Sequence, residues 1–212
     1  MSTRQLSILT GISYVIIFFA AIYANFFVLE SLKINPEMTV NEESMSIRLG
    51  IMAFIITVVF DVLIAWTLFE IYPKHYLSLL STFFRMMHAV IMAIAIFSLP
   101  LILNMNDKID ILSSVQQFDT IWLIGLFFFG IHLIILSQIF HGPSWIRIML
   151  MIAGFMYMID TSAHFLMENY QDYSTIFLTL VAIPSMLGEM AFAIWTWIYG
   201  GKTSNKSELN TN

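Results

Sequence analysis

Six apolar runs divide the chain: Leu6 to Leu29, Leu49 to Ile71, Tyr76 to Leu103, Ile121 to Phe140, Trp145 to Met167 and Ser174 to Tyr199. Each has about 20 residues or more, enough at a rise of about 1.5 Å per residue to cross roughly 30 Å of hydrocarbon as an α-helix. Polar breaks separate them at Lys33 to Arg48, Tyr72-Pro73-Lys74-His75, Asn104 to Thr120 and His141-Gly142-Pro143-Ser144. Ser144 is a candidate N-cap for the fifth helix. The first run is too long for the apolar core of a secretory signal, about 7 to 15 residues, and reads as a retained helix. The pattern predicts an all-α polytopic membrane protein with six transmembrane helices in one bundle over residues 1–200. A polar tail, 201–212, is expected to be disordered.

Composition agrees with the pattern and removes several functions. The chain is 59% hydrophobic and only 11% charged, with a mean hydropathy of +0.83, where a soluble domain carries about a quarter charged residues. Its nine Lys and Arg are scattered rather than gathered into a basic stripe, so no nucleic-acid partner is expected; the predicted surroundings are a lipid bilayer. Without cysteine there is no disulfide, thiol nucleophile or Cys-ligated zinc. No Walker loop, G-x-S-x-G or H-E-x-x-H occurs, and no cofactor is implied.

An even number of spans puts both termini on one side. Arg4, Lys74, Arg147, Lys202 and Lys206 fall on that side, against Lys33, Arg48 and Lys108 on the other. The positive-inside rule then predicts a cell-membrane protein with both termini cytoplasmic. Tyr72, Tyr76, Trp122, Trp145, Tyr170, Tyr173 and Tyr199 fall where an interfacial aromatic belt is expected.

Within the runs lie seven ionisable groups: Asp61, Arg85, His88, His132, Asp160, His164 and Glu189. Ionisable groups at membrane depth are costly and mark sites. Arg85 with His88, and Asp160 with His164, are spaced to share a helix face. Depth counting puts Asp61, His88, His132 and Glu189 near the mid-plane, Arg85 toward the cytoplasmic side, and Asp160 with His164 in the outer half. Three carboxylates against one guanidinium leave a negative surplus that must be met by protonation, by histidine, by water or by a cation. Pro184 and Gly188 suggest that the sixth helix is kinked or locally broken just before Glu189.

Short ordered motifs run along most of the chain: Arg48-Leu-Gly-Ile with Asp61, Leu79 to Phe84-Arg85, Gly130-Ile-His132-Leu, Pro143 through Ala153-Gly154, Tyr157-Met-Ile-Asp160, and Gly188-Glu189 with Trp195. This set resembles the bacterial membrane proteins grouped as domain of unknown function 4386 (DUF4386). The resemblance implies a small polytopic membrane domain and brings no catalytic residues with it.

Three functions remain open at this level. One is a small binding or transport-like module whose acids and histidines accept a proton, a small cation or an amphiphilic ligand. Another is an intramembrane metal-dependent lipid hydrolase, with His88, His132 and His164 as metal ligands and one of Asp61, Asp160 and Glu189 as general base. The third is a non-catalytic structural or regulatory subunit.

Overall fold

In the computed structural model, which describes residues 1–202, every expected run is a helix. The first span comprises α1 (Thr3–Ile22), a π-helical stretch (Tyr23–Leu29) and α2 (Glu30–Ile34). A short helix α3 (Pro36–Glu42) leads into α4 (Ser44–Ile71), followed by α5 (Ser78–Ile96) and one turn, α6 (Leu99–Ile102). Then come α7 (Lys108–Ile139), α8 (Ser144–Leu166) and α9 (Tyr170–Tyr199). Among the described residues, six helices are long and apolar enough to cross a membrane. The tail expected to be disordered lies, from residue 203 onward, outside the described residues.

The breaks are more helical than the hydropathy pattern implied. Lys33 to Arg48 is mostly helix, and α7 starts at Lys108, well inside the stretch read as the loop Asn104 to Thr120. The local reason is an N-cap: Asp107 Oδ1 accepts from the backbone N–H groups of Ile109 and Asp110. The turns that follow bury Ile111, Ser114, Val115 and Phe118 at i, i+3, i+4 and i+7 while Gln116 and Gln117 face outward. An amphipathic start of this kind escapes a search for uniformly apolar runs. Ser144 is the first residue of α8 and caps nothing, the N-cap being Pro143, which corrects its assignment as a cap. Of the two alternatives for the sixth helix, a local break does not occur, since α9 is continuous through Pro184.

The spans form a closed ring in chain order. α1 packs on α4, α4 on α5, α5 on α7, α7 on α8 and α8 on α9, and α9 returns to α1. The start of α1 and the end of α9 lie at one end, the terminus-bearing end, where Arg4 Nη1 donates to the Gly200 carbonyl at 2.9 Å. The helices are inverted relative to a soluble bundle. On α5 the outward row is Leu79, Phe83, Met87, Val90 and Ile94, all exposed, whereas the inward row begins Ser78, Ser81, Arg85, His88. An apolar outside around a polar inside is the arrangement that lipid as solvent selects.

Small residues let the ring close tightly. A Cβ on Gly130 would lie 2.6 Å from the Gly154 carbonyl oxygen, and one on Gly11 would lie 2.6 Å from Trp197 Cβ. The first contact joins α7 to α8 and the second α1 to α9, as small-residue seams do between membrane helices. Gly154→Ala forces its methyl against the α7 backbone and is expected to lower stability by about 1–3 kcal/mol. Thermal unfolding in detergent micelles would show the loss as a lower midpoint; an unchanged midpoint would mean that α7 and α8 have room to part.

Candidate functional site

The ring encloses Arg85, which is 1% exposed. Its guanidinium is permanently charged and carries five N–H donors. Nη2 donates to Asp61 Oδ1 on α4 at 2.5 Å. Nη1 donates to the Tyr14 hydroxyl on α1 at 2.6 Å and faces His132 Nε2 on α7 at 3.2 Å. The cation also sits over two aromatic rings, 4.7 Å from the centroid of Tyr14 and 5.2 Å from that of Phe129. Arg85 Nε is buried and has no hydrogen-bond partner among the described residues. One side chain from α5 thus binds α1, α4 and α7 together.

The two central histidines are held differently. Because a guanidinium can only donate, His132 Nε2 must accept, so this ring is neutral with its proton on Nδ1. That Nδ1 lies 3.0 Å from the Ser81 carbonyl and 2.9 Å from the Ser81 hydroxyl, which receive it. His88 Nδ1 lies 2.9 Å from the Gly125 carbonyl, an acceptor only, and so donates to it. Its Nε2 faces Asp61 Oδ2 at 3.5 Å. Both nitrogens of His88 therefore look at oxygen acceptors. Phe129 packs beside both rings.

The other two acids take tyrosine hydroxyls rather than cations. Tyr157 on α8 donates to Glu189 Oε1 on α9 at 3.3 Å, a long bond, and Glu189 stands within coulombic reach of Arg85 and Asp61. Tyr170 donates to Asp160 Oδ1 at 2.7 Å, and the His164 ring meets Tyr170 edge-on at 4.7 Å. Asp160, His164 and Tyr170 form a separate group beside the α8–α9 turn.

The seven residues singled out in the sequence are thus divided. Asp61, Arg85, His88 and His132 form one network, Glu189 lies within reach of its charges while bonded to Tyr157, and Asp160 with His164 lies apart. Arg85 reaches Asp61 and stands in the middle of this network. The conditional metal set His88, His132 and His164 does not converge: His132 offers its acceptor nitrogen to a guanidinium, and His164 belongs to the Tyr170 group. Among the described residues no three His, Asp or Glu side chains are arranged to hold a metal ion. The hydrolase reading loses its ligand set on that geometry.

Tyr14, Ser81, Phe129 and Tyr157 belong to the site and were not singled out in the sequence. Ser81 had a signal, since Ser78, Ser81, Arg85 and His88 are spaced three, four and three apart on α5. Tyr14 had none, and Tyr157 stood only as part of the motif ending at Asp160, because a tyrosine in an apolar run gives no sign of which helix its hydroxyl will meet.

A ring of six membrane-competent helices around a buried Asp–Arg–His network defines a multi-pass α-helical membrane protein. The family model described as domain of unknown function (DUF4386) matches residues 9–200, and the chain belongs to that family. No curated protein and no solved structure matches it.

Arg85→Met leaves Asp61 buried opposite an apolar chain and is expected to cost about 3–5 kcal/mol. The double variant Asp61→Asn/Arg85→Met strands no charge and should recover most of that loss. Thermal midpoints of the three proteins in one detergent check this; a double variant no more stable than the single one would show that the two charges do not depend on each other.

Proposed function

We propose that this protein is a small proton-binding, transport-like module of the cell membrane whose exchangeable proton is shared by His88 Nε2 and Asp61 Oδ2. The observation that carries the reading is the contrast between the histidines. His132 is locked neutral between Arg85 and Ser81, whereas both nitrogens of His88 face oxygen acceptors.

The division of Asp61 supports the same assignment. One carboxylate oxygen is taken by Arg85 and the other faces His88 Nε2, so a proton placed there lies between two groups that can hold it. A small cation is the chemical substitute for that proton, so the site suits a proton, or a cation competing with it. The basic residues Arg4, Lys74, Arg147 and Lys202 gather at the terminus-bearing end, which we place in the cytoplasm.

A second reading is supported by the reach of Arg85, which ties three other helices. In that reading the network secures the fold of a structural or regulatory subunit and exchanges nothing.

The two readings differ in what nitrogen NMR of histidine-labelled protein in nanodiscs would show. On the proton reading, His88 is doubly protonated at acidic pH and loses one proton on alkalinisation, while His132 keeps one Nδ1–H form throughout. Asp61→Asn should weaken the hold of His88 on its extra proton. A His88 signal that stays fixed across the stable pH range would reject proton exchange and leave the structural reading.

A further inference from the structure

We propose that the proton of the Asp61–His88 pair exchanges with one side of the membrane only, the terminus-bearing side, through a water-sized path between α4, α5 and α7. The inference rests on the proton-binding reading and adds the route and its sidedness.

Three features mark the route. On α5, the buried row Ser78, Ser81, Arg85, His88 descends from the terminus-bearing end to the network. Ten residues separate Ser78 from His88, about 15 Å along the helix, or half the hydrocarbon thickness. On α4 the facing row is Tyr72, Leu68, Ala65, Asp61, read inward, with Tyr72 at the helix end. Between the two rows lies a cavity of about 10 Å³, lined by Tyr72, Ala65, Ser78, Ser81, Thr82 and His132 among others. That is about the space one water needs; the wall is mainly apolar, with Leu68, Leu136 and Ile139, and its hydroxyls come from Tyr72, Ser78, Ser81 and Thr82. Ala65, 1% exposed, is the small residue beside this space, one turn from Asp61.

Past His88 the character of the interior changes. The α5 row continues as Met92 and Ala95, and Ala95 packs with Phe54, Phe118, Val115, Ala24 and Val28 in a buried apolar cluster. Phe54 and Phe118 are fully buried, and Trp122 packs against both. Trp122, expected in the interfacial belt, is part of this plug. Hydroxyls and a cavity thus lead to the network from one end, and packed hydrocarbon closes it from the other.

The groups around the pair come from several spans: Tyr14 on α1, Arg85 on α5, His132 on α7 and Glu189 on α9, the last with the Tyr157 hydroxyl of α8 at its carboxylate. Of these, His132 has both ring nitrogens engaged, and Arg85 directs Nη1 and Nη2 to Tyr14, His132 and Asp61. The path therefore passes them on water beside Ala65. A hydronium entering from the terminus-bearing side gives its proton to the Asp61–His88 pair and remains as water; release is the reverse.

The chain has no cysteine, so single-cysteine variants carry no background thiol. Full-length Ser78→Cys, Ser81→Cys, Met92→Cys and Ala95→Cys proteins, reconstituted in sealed vesicles of known orientation, would be exposed to silver ion from either side. Surviving thiol would then be counted with a maleimide after solubilisation. The proposal expects Ser78→Cys and Ser81→Cys to lose their thiols from the terminus-bearing side only, and Met92→Cys and Ala95→Cys to keep theirs from both. Loss at Met92→Cys or Ala95→Cys from the opposite side overturns it, as does an equal response of Ser81→Cys from both sides or none from either. A second variant, Ala65→Leu, fills the cavity and should slow His88 proton exchange while leaving its final protonated fraction unchanged; an unaltered exchange rate also overturns the path. The labelling does not depend on titration. A one-sided pattern with a His88 that never exchanges its proton refutes the proton reading alone, and exchange at His88 without the pattern refutes the path alone.

Discussion

A guanidinium cannot shed its proton, so enclosing Arg85 among apolar helices obliges the rest of the chain to supply acceptors and counter-charge at one point. Asp61 supplies the charge, while Tyr14 and His132 supply neutral acceptors, each from a different helix. The arrangement fixes more than Arg85 itself. Because the guanidinium donates to His132, that imidazole must be neutral and must present its proton to Ser81. Because Asp61 gives one oxygen to Arg85, its other oxygen is left for His88. The roles of Arg85, His132 and Ser81 follow from one another, and the remaining carboxylate oxygen is the one that faces His88.

The helices can surround such a centre because they touch so closely at their seams. Gly130 against Gly154, and Gly11 against Trp197, bring neighbouring backbones within reach of each other, and the ring closes from α9 back to α1. Packing of this kind replaces the hydrophobic drive, which lipid does not supply. It also leaves the inward faces to be filled in two ways: hydroxyls and a small cavity toward the terminus-bearing end, and aromatic and aliphatic side chains toward the other. The polar centre lies at the boundary between them.

The two acids outside the Arg85 pair show how much a membrane interior depends on tyrosine. Glu189 and Asp160 each receive a phenolic hydrogen bond in place of a cation. The negative surplus counted along the chain is therefore smaller in effect than the formal charges suggest. Tyr170, at the start of α9, gives its hydroxyl to Asp160.

The number of spans, the family resemblance and six of the helix cores were legible in the residues, because each run must satisfy its own backbone hydrogen bonds and its length is set by the bilayer. The list of buried ionisable groups was legible too, since a charge in an apolar run stands out whatever it touches. Helix starts such as Lys108 were harder, because an amphipathic first turn hides among polar residues. Partnership was the part that sequence could not supply. Whether Arg85 pairs with Asp61, Asp160 or Glu189, and whether three histidines converge, depends on how six helices are rotated about their axes and which of them are neighbours. A helix face is defined by local spacing, but what that face meets is defined only when the ring closes, and that decision gave Asp61 to Arg85 and His88 and left Asp160 with Tyr170.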